Sequence, residues 1–223
     1  MEPGLPHLRS AAMSGSLGQS SETMAPWCEA LPELRGSMST LRALDLNDAP
    51  ALLTMLATPE VARFIPPPPT TIDGFERFIV HGTHEQAAGR SVCFAVVPRG
   101  VLSAAGVFQI RGIDSGFGSA EWGFALGSSY WGSGLFLDSA RQVVDFAFDV
   151  LRLHRLEARA AVPNGRGNGA LRKLGAVREG LLRSALCRGD RQFDQVLWTI
   201  LDRDWQAAHR RRSLDAGASS NHA

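Results

Sequence analysis

The chain is short of several things, and each shortage removes a class of answer. It has only three cysteines, Cys28, Cys93 and Cys187, far apart and with no Cys-x-x-Cys or Cys/His spacing. That excludes a disulfide framework, gives no reason to expect a metal, and fits idle thiols in a reducing compartment. Neither sign of charge is in excess: 23 Lys plus Arg stand against 22 Asp plus Glu. A surface for nucleic acid or membrane is therefore not expected. No apolar run approaches the roughly 20 residues that cross a bilayer. The N-terminus lacks the basic and apolar regions of a signal peptide, so the expected location is the cytoplasm. There is one tyrosine, Tyr130. Arginine is strongly preferred to lysine, which reflects a GC-rich genome rather than a function.

What remains suits one ordinary domain with tails: 223 residues, of which 44% are hydrophobic. Residues 1–30 scatter Pro3, Pro6 and Pro26 among Ser and Gly without an apolar period. They read as a disordered leader, with Met13, Met24 and Met38 as alternative starts. Residues 31–206 read as the domain, and 207–223 as a helix end with a loose tail. Within the domain, residues 38–44 read as a short strand. A helix follows, with Asn47 as N-cap and Leu52, Leu53 and Leu56 on one face. A second short helix opens with Thr58 as cap and Pro59 in the first helical position. Pro66 to Pro69 force an extended segment. A third amphipathic helix over 71–87 is weakened by Gly74.

The period then changes to two. Residues 91–97 and 101–110 read as strands joined by a turn at 98–100, and 112–119 as a glycine-rich loop. The strand 120–126, "AEWGFAL", puts Glu121, Gly123 and Ala125 on one face and Trp122, Phe124 and Leu126 on the other. The next stretch, "YWGSGLFLDSARQVVDFAF" over 130–148, is the most informative in the chain. From Phe136 an apolar stripe runs through Ala140, Val143, Ala147 and Val150 or Leu151, so a helix lies on a sheet. Its first four N–H groups have no internal partner, and the aligned dipoles add about half a positive charge there. With Gly132 and Gly134 no side chain blocks approach, so a phosphate can touch the amides. The same glycines equally fit a plain strand-to-helix turn, and a lone Gly-x-Gly does not separate the two.

Further on, Leu156, Ala158, Ala160 and Val162 share one face of a strand. Residues 169–176 form a short helix stopped by Gly175. A hairpin turns at Arg188–Gly189–Asp190, and a last helix closes the domain. Strands followed by helix, strand, helix and hairpin predict an α/β fold of the α+β type, with a mixed, mostly antiparallel central sheet flanked by helices.

Taken in order, "AEWGFALGSSYWGSG", "HRLEARAAVPNGRGNGALRKLGAVREG" and "RGDRQFDQVLWTIL" resemble the GNAT acyltransferases, and most closely their RimJ/RimL-like ribosomal-protein alanine acetyltransferase branch. The match runs from about Leu31 to Trp205. The resemblance implies acetyl-CoA as cosubstrate, cradled by Phe124, Leu126, Trp131, Gly132, Ser133, Gly134 and Leu135, with Asn164 holding the pantetheine arm. Four positions depart from the family pattern. Phe136 and Leu137 stand where small or phosphate-binding residues are usual, and Gly167 and Leu171 replace the usual Ser and Tyr. Asn164 also fits a simple turn residue. The resemblance makes Glu121 the candidate base, accepting the amine proton directly or through water, although a strand carboxylate bonded to Arg is an equal reading. Tyr130, beside the loop, is the candidate acceptor contact. Glu179 and Asp194 match family positions but read as structural.

The implied reaction is direct attack of a primary amine on the thioester, with no acyl-enzyme, because no Cys or Ser is paired with a base. Proton chemistry favours α-amines or weakly basic small amines. At pH 7 an α-amino group of pKa about 7.7 is neutral about one time in six, and a lysine roughly once in 2,500. The difference is about 3.7 kcal/mol. The expected partners are acetyl-CoA and a peptide N-terminus or small amine, with the chain a monomer or homodimer. An antibiotic-modifying enzyme, or an acyl-CoA sensor that has lost catalysis, are the alternatives.

Overall fold

The computed structural model describes residues 25–114, 116 and 118–210. The leader as far as residue 24, the tail after 210 and two positions of the glycine-rich loop lie outside the described residues. The fold begins earlier than the sequence suggests. Helix α1 (Pro26–Glu29) buries Trp27 and Cys28, two residues that composition had grouped with the leader.

Eight strands build one sheet among the described residues. They are β1 (Leu34–Arg35), β2 (Ser39–Ala43), β3 (Ser91–Pro98), β4 (Gly106–Asp114), β5 (Ser119–Leu126), β6 (Arg155–Ala161), β7 (Val177–Arg188) and β8 (Arg191–Leu201). Their spatial order is β1-β2-β3-β4-β5-β6-β8-β7. Every neighbouring pair is antiparallel except β5 with β6. Strand β4 starts five residues later than periodicity suggests. Ala104 and Ala105 are buried, but the chain from 99 to 105 is a connection rather than a strand.

One face carries α2 (Ala49–Leu56), α3 (Pro59–Ala62) and α4 (Ile72–Ala87). Leu52, Leu56, Val61, Phe75 and Ile79 pack there on Cys93, Ala95 and Val107. The expected cap Asn47 is displaced by Asp45, whose carboxylate accepts from Asn47 N–H at 2.8 Å and forms a reciprocal cap with Asp48. A carboxylate two residues upstream reaches the free amides of the turn, which the Asn47 side chain at that place does not. Gly74 does little harm in α4, because it lies in the first turn and its N–H is taken by the Thr71 hydroxyl at 3.1 Å.

The other face carries α5 (Leu135–Asp149), α6 (Gly165–Leu174) and a terminal helix α7 over residues 202–210. Alternation along β5 sends Ala120, Trp122 and Leu126 into this layer with Val143, Ala147 and Trp198. Phe108 stacks on Trp122 at 5.9 Å, and Phe94 meets Phe146 edge-on at 5.1 Å. Truncating a ring of this kind costs about 3–5 kcal/mol. At the end of the α5 stripe it is Leu151 that packs on the core while Val150 is exposed, and Val162, expected on the buried face of its strand, is exposed because it falls just past the end of β6.

Candidate active site

Strands β5 and β6 stay paired for only three positions, Ser119↔Arg155, Ala120↔Leu156 and Glu121↔Glu157. Beyond that rung β5 continues with β4 as far as Leu126, and β6 with β8 as far as Ala161, so the two part and leave a gap in the sheet. Gly127 donates its N–H to Ala105 O at 2.8 Å, toward β4. Ladder alternation turns the N–H and C=O groups of Trp122, Phe124 and Leu126 away from β4; the Trp122 N–H belongs to the last rung with β6, and the Phe124 and Leu126 groups face the gap. Leu126 O accordingly accepts the Trp131 indole N–H at 3.0 Å instead of a β4 amide. A cleft of about 860 Å³ fills the gap, lined by Phe124, Ala125 and Leu126 of β5 and by residues from both helix layers.

At the mouth of this cleft the loop after β5 enters α5. Gly132 and Gly134 have φ of +77° and +92°, a left-handed backbone that a side chain strains. A Cβ on Gly132 would meet nothing within 4 Å, so space as well as conformation is open there. The Ser133 hydroxyl donates to Tyr130 O at 2.7 Å and accepts from Leu135 N–H at 3.2 Å. Leu135 N–H, one of the amides singled out from sequence, is thus already engaged. The first α5 bond of the i to i−4 kind runs from Asp138 N–H to Gly134 O, which leaves the Phe136 and Leu137 amides as helix-end donors. Phe136 does not obstruct them. Its ring turns down onto Phe124 at 4.5 Å and Phe108 at 5.8 Å.

Asp138 fixes this helix end to the turn between β1 and β2. Its carboxylate accepts from Ser37 N–H and hydroxyl, Met38 N–H, and Ser39 N–H and hydroxyl, at 2.7–3.1 Å. Burial pushes this carboxyl up, but the hydrogen bonds outweigh burial and hold it below the ordinary carboxylate range.

The cleft's wall on the α6 side is basic. Arg166, Arg172 and Lys173 line it, and Arg166 stacks over Trp131 at 4.1 Å. None was singled out from sequence, although all three fall on the polar side of a helix whose Leu171 and Leu174 are buried. Asn164 lines the cleft, but its side-chain oxygen accepts from Gly167 N–H at 2.9 Å and caps α6. The turn-residue reading is therefore realised at that oxygen.

Glu121 sits at the last rung before the strands part, on the face away from Trp122. It does not line the cleft among the described residues. Its carboxylate is held by Arg111 at 3.1 Å and Arg159 at 3.5 Å. Tyr130 does line the cleft. Glu179 is tied to Arg155 at 2.6 Å, and Asp194 Oδ1 accepts from Ser184 N–H at 2.8 Å, both structural as expected.

The far wall comes from the α3 segment: Glu60, Val61, Arg63, Phe64 and Ile65. Glu60 accepts from the Ser128 hydroxyl at 3.0 Å. Its own backbone N–H and that hydroxyl hold its carboxyl below the ordinary range. The β7–β8 hairpin reaches over to the same segment. Arg188 donates to Ala62 O, and Phe193 meets Phe64 edge-on at 6.1 Å. A bulge in β7, with Ser184 at φ 50° anchored by Asp194, gives the hairpin its bend.

A family model described as an acetyltransferase (GNAT) domain matches residues 39–177. A Bacillus licheniformis protein named as an uncharacterised N-acetyltransferase, p20, is 28% identical over 74% of this chain and 94% of its own length. Mycobacterium smegmatis RimJ, solved with CoA-disulfide, superposes with a TM-score of 0.72 at 22% identity, covering 82% of this chain and 93% of that one. Spermidine N-acetyltransferase from Vibrio cholerae, solved with CoA and spermine, gives 0.67 at 21% identity over 75% and 98%. At those identities the two solved structures speak for the fold.

Proposed function

The chain belongs to the GNAT acetyltransferase family and so transfers an acetyl group from acetyl-CoA to an amine, and from that premise we propose that the gap between β5 and β6 is where donor and acceptor meet. The observation that carries this reading is the parting of the two strands after Glu121, directly beneath a glycine-opened helix end. The residues fit the cosubstrate in kind. The Phe136 and Leu137 amides, with Gly132 and Gly134 beside them, offer donors to a diphosphate. Arg166, Arg172 and Lys173 supply positive charge for further phosphate. The Phe124 and Leu126 main chain faces the gap and suits an amide-bearing arm. Asn164 contributes from its side-chain nitrogen, since its oxygen is committed to the cap. Bound there, acetyl-CoA supplies the acetyl group as a thioester.

The N–H group of Phe124, aimed into the gap, would stabilise charge developing on the acyl oxygen. Glu121 takes the amine proton through water in this reading, because it stands at the apex of the gap and not in the cleft wall. Arg111 and Arg159 hold its carboxylate in place there. An α-amine or a weakly basic small amine is neutral often enough at pH 7 to react with little help from a base. That is the acceptor class this reading favours. No covalent enzyme intermediate is involved. Cys93 lies buried in the α2/α4 layer, and burial pushes its thiol up to about 12, far from a thiolate.

Calorimetric titration of acetyl-CoA, followed by a thiol-release assay with alanine-initiated peptides and small amines, tests the reading. Saturable binding and acceptor-dependent thiol release are expected. A folded protein that gives no heat with acetyl-CoA would overturn the donor site.

A further inference from the structure

The cleft is lined from both sides of the sheet, and its charges are sorted by side. The α6 wall carries Arg166, Arg172 and Lys173. The opposite wall belongs to α3, which packs through Val61 with the α2/α4 layer. It brings Glu60, the one carboxylate among the described residues lining the cleft. A carboxylate has no use in holding a polyanionic donor, because it repels phosphate at any distance within a Debye length. Arg63 shares that wall but stacks on Phe64 at 5.0 Å. Direct transfer also needs the amine to approach the thioester from the side the donor leaves free, and that is the α3 side. Glu60 is fixed there rather than swinging in solvent, since Ser128 donates to it at 3.0 Å.

We propose that Glu60 is a specificity-determining residue: it binds a second cationic group on the acceptor while the reacting amine sits in the gap. Its depressed carboxyl agrees, because it stays anionic across the whole neutral range. The acceptor chemistry is then an α-amine with a second ammonium or guanidinium within a short reach, as on a basic peptide near its N-terminus. This rests on the acetyltransferase reading above.

The test uses the full chain, with a pair of peptide acceptors that differ by the ammonium group: Ala-Ala-Lys-amide against Ala-Ala-norleucine-amide. Wild type should prefer the cationic member by about fivefold in kcat/KM, one exposed charge contact. Glu60→Gln and, more weakly, Ser128→Ala should erase the preference by raising KM for the cationic acceptor. Calorimetry of that acceptor into CoA-saturated protein should show the same loss, while acetyl-CoA affinity stays unchanged in both variants. A wild type without preference, or a preference that survives in Glu60→Gln, overturns the proposal and leaves the donor site standing. Failure of acetyl-CoA to bind the wild type would instead remove the reading beneath it.

Discussion

The two walls of the cleft are made in different ways. The donor wall is continuous in sequence. Strand β5, two left-handed glycines and α5 follow one another over 119–149, and β6 runs straight into α6. Its donors are main-chain groups placed by regular secondary structure. The acceptor wall is assembled from segments more than a hundred residues apart: α3, and a hairpin held to it by Arg188 on Ala62 and Phe193 on Phe64. Its groups are side chains, carried by a four-residue helix and by a hairpin that reaches over to it. The donor wall should therefore be brittle to backbone changes, and the acceptor wall tolerant in fold but tunable in selectivity.

The sharpest way to break that contrast is Gly134→Val. The position has φ of +92°, and a Cβ would lie 3.3 Å from Met38 Sδ. Strain of about 1–3 kcal/mol at the helix entrance should weaken acetyl-CoA binding by up to roughly 100-fold, read by calorimetry. Next comes Asp138→Asn, which removes the anion that five donors from Ser37, Met38 and Ser39 share with the Gln142 side chain. About 2 kcal/mol of stability should go at pH 7, lowering Tm by about 5 °C. The sign with pH is fixed. A carboxyl depressed in the folded state contributes stability above its unfolded pKa of about 3.9 and loses it as pH falls through the folded value. Wild type and variant should therefore converge in Tm between about pH 4 and strongly acid conditions. A gap between them that stays constant with pH would assign the effect to shape rather than charge.

Glu121→Gln comes third. We expect a fall of about tenfold in kcat with unchanged acetyl-CoA affinity, short of the hundredfold or more of a fully engaged base. An unchanged kcat would leave the carboxylate as a strand brace between two arginines. The smallest effect is expected from Asp194→Ala, which releases the bulge at Ser184. Acceptor KM should rise about threefold, with acetyl-CoA KM untouched. Should acetyl-CoA KM move instead, the hairpin would belong to the donor wall.

The same contrast explains what could be read beforehand. Periodicity found β5, the α5 stripe and the hairpin, because each is a local pattern. The glycines before α5 marked the open helix entrance for a local reason too: only a residue without a side chain sits easily at those φ values. Phe136 looked like an obstacle because its sequence position does not say that Phe108 and Phe124 would receive its ring. Glu60 and Arg188 were invisible because their neighbours are set by topology, not by spacing. Glu121 was visible as a carboxylate on the right strand, yet its two arginines come from β4 and β6, and cross-strand register decides them.

Three rungs are all the main-chain continuity between β5 and β6, so the sheet behaves as two panels hinged at 119–121. Whatever enters the opening stands in for the missing backbone partners and stiffens the seam. Folding stability is then linked to nucleotide supply: at a hundredfold excess over its dissociation constant, a ligand adds about 2.7 kcal/mol. In a cell starved of coenzyme A the enzyme would lose, together with its reagent, the brace that keeps its two panels in register.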